Sequence, residues 1–237
     1  MNLERHIDKA LEHFQKAYSK LDEWNKARET TMERFKVEAA RLTEQAAKDE
    51  NARLVKEYNE KRDAIVAELT ESVVAVETEF SREAKAFYAP DGAAINAADQ
   101  VLLASGIMNA GEVSEMVVRY AENPTMIRII NKYVLESKLE LPTDIRKAIY
   151  RATSGGENEK NVFNAFKQLA YAPVRMAEQG LAGSEYFLAT ALKVDEYAKD
   201  AKIRLLSAKL YLNEDDREQL RKAEQEARDK HNSKIAG

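Results

Sequence analysis

Near the start of the chain, apolar residues recur at alternating spacings of four and three: Leu3, Ile7, Ala10, Phe14, Ala17, Leu21 and Trp24. Two apolar positions per seven residues make a heptad seam, the stripe by which one long helix packs against another. The seam then loosens, with Arg28 and Thr31 where apolar residues are due, and Phe35, Ala39, Leu42 and Ala46 carry it onward. A second run follows: Leu54, Tyr58, Ile65, Leu69, Val73, Val76, Phe80 and Phe87, with Arg62 at a position that needs an apolar group. No glycine or proline occurs before Pro90 and Gly92. Between the runs lies Lys48-Asp49-Glu50-Asn51. Asp and Asn side chains bond nearby backbone groups and favour turns. The pattern predicts an antiparallel hairpin that turns at 48–51, with helices of about 45 and 38 residues, each on the order of 60–70 Å long. The rival is one unbroken rod of about 130 Å. Trp24, the only tryptophan, is predicted to be buried in the seam.

Ala89-Pro90-Asp91-Gly92 ends this block, because proline cannot continue a helix and biases the residue before it away from helical angles. Punctuation then becomes frequent, and short helices are predicted over 93–105, 112–122, 124–138, 143–153 and 157–179, the last kinked or split at Pro173. Asn123 before Pro124 reads as an N-cap followed by proline in the first turn. No run alternates β-branched and polar residues, so no sheet is predicted. Ser184 is a good N-cap, and a second seam follows it: Phe187, Ala191, Val194, Ala198, Ala201, Leu205, Ala208 and Leu212. Leu188, Leu192, Leu206 and Leu210 widen that stripe, which predicts more than one packing neighbour. Asn213-Glu214-Asp215-Asp216 offers a cap for a final helix, and the polar stretch after Leu220 reads as a frayed tail. The expected fold is all-α: a long N-terminal antiparallel helical hairpin (coiled coil), a compact bundle of shorter helices, and one or two long C-terminal helices. The expected domains are 1–89, 90–183 and 184–237.

Composition supports the long-helix reading, since charged residues make up 33% of the chain and aromatics 8%. Cysteine is absent, which excludes disulfides, thiolate metal sites and a cysteine nucleophile. Net charge is -4, which argues against a strongly basic nucleic-acid or membrane-surface protein. The N-terminal residues lack the basic then apolar order of a signal peptide. The longest apolar stretch, Val101 to Met108, is broken by Ser105 and Gly106 and is far shorter than a membrane span requires. The expectation is a cytoplasmic protein with no membrane segment.

Chemistry is sparse. His6 and His13 share a helix face, but neither follows a carboxylate at three-residue spacing, and they and His231 are expected at the surface rather than on a metal. Ser154-Gly155-Gly156 lacks the Gly-Lys-Ser/Thr of a phosphate loop. No catalytic residue, metal site or cofactor is expected, and the chain reads as a non-enzyme. One segment departs from the acidic background. Residues 116–151 hold seven basic residues against four acidic ones, net +3, with Tyr120, Tyr133 and Tyr150 interleaved. Arg119, Arg128, Lys132, Arg146, Lys147 and Arg151 form a candidate basic patch, of the kind that binds phosphates beside stacking aromatics. The competing expectation is that the tyrosines fill a small core and the cations face water.

The stretch Val118-Arg119-Tyr120-Ala121-Glu122-Asn123-Pro124-Thr125-Met126-Ile127-Arg128-Ile129-Ile130 resembles segments of small helical structural proteins of tailed bacteriophages. The plan of a charged, cysteine-free helical chain with a coiled-coil arm is similar to their scaffolding and minor structural proteins. The resemblance implies an oligomer that binds capsid or other virion subunits through helical surfaces, has no active site, and is cytoplasmic or virion-associated in a bacterial host. On this reading the chain self-associates and binds protein partners through a seam of Leu3, Ile7, Phe14, Leu21, Trp24, Phe35, Ile65, Leu69, Val76 and Phe80. The alternatives are nucleic-acid binding through 116–151 and inhibition of a host protein.

Overall fold

The computed structural model describes residues 3–207, 218–223, 225–226 and 229, and among them every regular element is a helix. In chain order these are α1 (Glu4–Ala39), α2 (Glu44–Tyr88), a 3-10 turn (Gly92–Ala94), α3 (Ala97–Ala104), α4 (Ala110–Arg119), α5 (Pro124–Ser137), α6 (Thr143–Thr153), α7 (Glu157–Ala170), α8 (Ala172–Glu178), α9 (Glu185–Ala191) and α10 (Val194–Ser207). The fold is all-α, with a long N-terminal hairpin followed by shorter helices. Residues segregate into two compact units: Glu4–Glu79 with Asn164–Asp200, and Met1–Leu3 with Phe80–Phe163 and Ala201–Gly237.

In the first unit, α1 and α2 run antiparallel. Lys9 pairs with Glu79 at 3.5 Å, Lys20 with Glu68, and the Trp24 indole Nε1 donates to the Tyr58 carbonyl at 2.7 Å. As position rises on one helix it falls on the other. The rod is thereby excluded, but the turn lies at residues 40–43 rather than at 48–51. Thr43 explains the difference, since its hydroxyl accepts from Ala46 N at 3.3 Å and its carbonyl from Ala47 N at 2.9 Å, which starts α2. The polar run 48–51 stays helical because its side chains close four-residue bridges, Lys48 to Glu44 at 2.7 Å and Gln45 to Asp49 at 2.8 Å.

Ile7, Ala10, Phe14, Ala17, Leu21 and Trp24 are all buried, as the seam predicts. Phe14 meets Phe166 and Tyr171 edge-on at centroid separations of 6.0 and 5.0 Å. The Tyr18 hydroxyl donates to the Ala170 carbonyl, and its ring meets Phe187 at 6.5 Å. The end of α7 with α8, α9 and the start of α10 therefore covers the open end of the hairpin. Gly183 makes this approach possible, because its φ is +76° and a Cβ there would overlap the amide of buried Asn25. Two of the irregular seam positions, Thr31 and Arg62, find polar partners. Thr31 Oγ1 and the Tyr58 hydroxyl lie 2.7 Å apart, and Arg62 pairs with Asp63 at 2.8 Å and donates to the Glu178 carbonyl at 3.4 Å.

The second unit is built from short capped helices. Asn96, Asn109 and Asn123 each accept from a first-turn amide, and Asn109 with Glu112 forms a reciprocal capping box. Asn96 also explains why the predicted helix 93–105 is a 3-10 turn and then α3: its side chain restarts the helix at Ala97. The core gathers Leu103, Val113, Met116, Val117, Ile127, Ile130, Tyr133, Leu141, Ile145 and Ile149. Phe80 packs on Phe163 at 4.8 Å. In α2 the predicted Phe87 is only half-buried, and Ala84 and Tyr88 are buried instead. A straight helix drifts from a strict seven-residue repeat, so beyond Phe80 the buried positions follow four-residue steps.

Pro173 splits the predicted 157–179 helix, with α7 ending at Ala170 and α8 starting at Ala172. Ser184 caps α9 by accepting from Phe187 N at 3.1 Å. The second seam breaks at Leu192 and Lys193, between α9 and α10, where no glycine or proline announces it. Phe187, Val194, Ala198, Ala201, Leu205 and Leu206 are buried, but Leu188 and Leu192 are exposed, contrary to the widened stripe. The expectations on Ala208, Leu210, Leu212, 213–216, His231 and most of the tail lie outside the described residues.

Candidate interaction surfaces

The predicted seam residues separate into a buried set and a partly exposed set. Leu3, Ile7, Phe14, Leu21, Trp24, Leu69, Val76 and Phe80 are buried, whereas Phe35 and Ile65 are half-buried. Burial fails over the turn end of the hairpin. From Lys26 to Arg53 no residue is buried, Val37 is 69% exposed and Leu42 is exposed. Two facing helices shield only the stripe between them, and this length of the hairpin lacks the third layer that covers Phe14 and Tyr18.

The six basic residues do not act alike. Arg119 pairs with buried Asp99 at 3.2 Å, and Asp99 also accepts from the Tyr120 hydroxyl. Desolvation first, then the bond to Asp99, raises the Tyr120 phenol above its ordinary range. Arg128 donates to the Tyr88 carbonyl at 2.7 Å and so ties α5 to the end of α2. Lys132 lies 3.8 Å from Glu136. Arg151 is half-buried, and its charge lies close enough to Tyr88 to act on that phenol. Tyr133 is buried and donates to the Met108 carbonyl at 2.9 Å, a core role. Arg146 and Lys147 are exposed, beside an exposed Tyr150.

Arg146 and Tyr150, but not Lys147, border a feature that periodicity does not reveal. Between α5 and α6 lies an open groove of about 570 Å³, lined by Asn131, Val134, Leu135, Lys138, Leu139, Arg146, Ile149, Tyr150 and Thr153. Its floor continues the core, because Ile149 belongs to it and Val134 and Leu139 pack against it. Leu135 and Tyr150 stand on its rim at 69% and 68% exposure. The backbone of Lys138 is left-handed, φ +53°, and ends α5. The exposure of Leu135 is detectable in sequence only as an apolar residue off the stripe of Ile127, Ile130 and Val134. The groove itself needs the spacing of two helices.

Besides Asn25 and Asp99, two further polar residues are buried among the described ones. His6, expected at the surface, is 1% exposed because it lies four residues before Ala10 and eight before Phe14, on the packed face of α1. Glu159 is 3% exposed and its Oε1 accepts from the Tyr88 hydroxyl at 2.6 Å. Burial first, then the Glu159 carboxylate, pushes the Tyr88 phenol well above its ordinary range. Among the described residues no group of three or more His, Asp or Glu is placed to hold a metal ion, and no helix is long and apolar enough to cross a membrane. No protein family, curated protein or solved structure compared with the chain matches it.

Proposed function

We propose that this chain is a non-enzymatic assembly protein that self-associates through the turn end of its helical hairpin and binds protein partners through helical surfaces. One observation carries this reading: the seam runs on through Phe35 and Leu42 where no residue from Lys26 to Arg53 is buried. The hydrophobic effect favours covering such a stripe, and a second hairpin supplies a surface of matching period. Charged flanks keep the unassembled hairpin in solution. The setting, assembly of a tailed-phage particle, is supported by the resemblance at Val118–Ile130.

Sedimentation equilibrium tests the reading. The chain is expected to form a dimer or higher oligomer at tens of micromolar, and the triple variant Phe35→Asp, Val37→Asp, Leu42→Asp to remain monomeric with unchanged helicity. A wild-type chain that stays monomeric at that concentration overturns self-association, and an oligomer indifferent to the triple variant overturns this surface. Detection of the chain in purified particles or their assembly intermediates supports the setting, and absence from all of them removes it.

A further inference from the structure

We infer that the α5–α6 groove is a docking site for an acidic amphipathic helix of a partner protein. The groove presents a continuous apolar floor and two large exposed apolar side chains, Leu135 and Tyr150. Its only charged lining residues are cations, Lys138 and Arg146. Among the described residues neither forms an ion pair, and Arg146 makes only a 3.3 Å bond to the Thr143 hydroxyl. An occupant that fits both features is apolar along one stripe and carries carboxylates beside it.

The shape of the site selects the class of occupant. Small-molecule sites enclose most of their ligand, whereas here the two rim side chains are each about 70% exposed, so the site is a trough rather than a cavity. Neighbouring helices offer no strand edge to extend, so the occupant has to satisfy its own backbone hydrogen bonds, as a helix does. Apolar residues at i and i+4 or i+3 of such a helix lie between Leu135 and Tyr150, and Asp or Glu on its flanks reach Lys138 and Arg146. Nucleic acid fits less well, because the lining is mostly apolar and holds two cations and one exposed ring. This inference rests on the proposed function only in taking a protein as partner. It does not use the turn end of the hairpin, so either can fail alone.

The test uses fluorescence anisotropy on the full chain with two labelled synthetic helices. Both carry leucine at i, i+4 and i+7, one flanked by glutamate and the other an isomer flanked by lysine. The acidic helix is expected to bind at least tenfold tighter than the basic one. Leu135→Ser with Tyr150→Ser, at exposed positions that leave the core intact, is expected to weaken it at least tenfold. Lys138→Asn with Arg146→Glu is expected to abolish the preference for acid while leaving helicity by circular dichroism unchanged. Equal binding of the two helices, no binding of either, or a preference that survives both double variants overturns the inference. Saturable binding of dodecanoate without binding of the acidic helix assigns the groove to a small amphipathic anion instead and likewise overturns it. Dissociation of a self-associated chain by the Leu135/Tyr150 variant, without peptide binding, assigns the groove to a second copy and also overturns it.

Discussion

Replacing Gly183 with alanine tests how α1 is covered. Gly183 has φ +76°, and an added Cβ would overlap the amide of Asn25 and lie 3.2 Å from its Cγ. Asn25 is 3% exposed and its Nδ2 donates to Glu29 at 3.0 Å, so its side chain has little room to retreat. Gly180 is the internal control, with φ +80° and nothing within 4 Å of its added Cβ. For both, a left-handed alanine costs about 1–2 kcal/mol, offset by about 0.4–1 kcal/mol from restricting the unfolded chain. Gly180→Ala is therefore expected to destabilise by roughly 1 kcal/mol. Gly183→Ala adds about 1–3 kcal/mol of overpacking and about 1 kcal/mol from the disturbed Asn25 bond to that roughly 1 kcal/mol, for a total of about 3–5 kcal/mol. Urea unfolding followed by the fluorescence of Trp24, buried in the same unit, reads the difference. With a slope of about 2 kcal/mol/M the midpoints fall by roughly 0.5 M and 1.5–2.5 M. Asn25→Ala costs about 1 kcal/mol alone but removes the obstacle, so in the double variant it offsets about 1–3 kcal/mol of the Gly183 penalty. Equal effects of the two glycine substitutions, or a double variant that is simply additive, would refute the close packing of Gly183 on Asn25.

Two further outcomes follow from buried polar groups. Burial, seconded by neighbouring Tyr197 and Tyr171, raises the Tyr18 phenol far above its ordinary value of 10.0, as burial and Glu159 raise Tyr88. Below pH 10 both are neutral in folded and unfolded chains and stability is unaffected. Above it only the unfolded chain ionises, so stability falls by up to about 1.4 kcal/mol per pH unit for each. Urea unfolding between pH 8 and 11 should show this decline, and Tyr18→Phe and Tyr88→Phe should each flatten it. Asn123 caps α5 at Met126 N, 3.1 Å, while its Nδ2 donates to the Ala94 carbonyl at 2.6 Å. Asn123→Ala is expected to cost about 2 kcal/mol and Asn123→Asp, which keeps the cap alone, about half of that. Thermal unfolding ranks the two, and equal losses would contradict the double role.

Much of the architecture is local and was legible in the chain. The heptad spacing of Ile7, Phe14 and Leu21 dictates a buried helical stripe, whatever covers it, because the period of the side chains sets the face. Asn123-Pro124, Ser184 and Pro173 mark helix ends through their own backbone chemistry, and each end falls where these residues place it. Other features needed three dimensions. Residue type does not separate a turn at 40–43 from one at 48–51, because Thr43 and Asn51 both carry capping side chains; in the fold Thr43 caps α2 and bridges to Glu44 and Gln45 hold 48–51 helical. Tyr88 rather than Phe87 is buried because the 45-residue helix α2 drifts away from a strict seven-residue repeat. Leu188 and Leu192 read as core and are exposed, since a stripe does not say whether a neighbour arrives to cover it. The candidate surfaces divide in the same way. Helicity throughout, the seams and the local excess of positive charge are properties of neighbours along the backbone, and residue order alone carries them. The packing of distant helices is what sets Arg119 on Asp99 and Arg128 on the Tyr88 carbonyl, brings Leu135 and Tyr150 to one groove, and leaves no residue buried from Lys26 to Arg53. Those outcomes depend on which distant residues meet, and no local pattern encodes that.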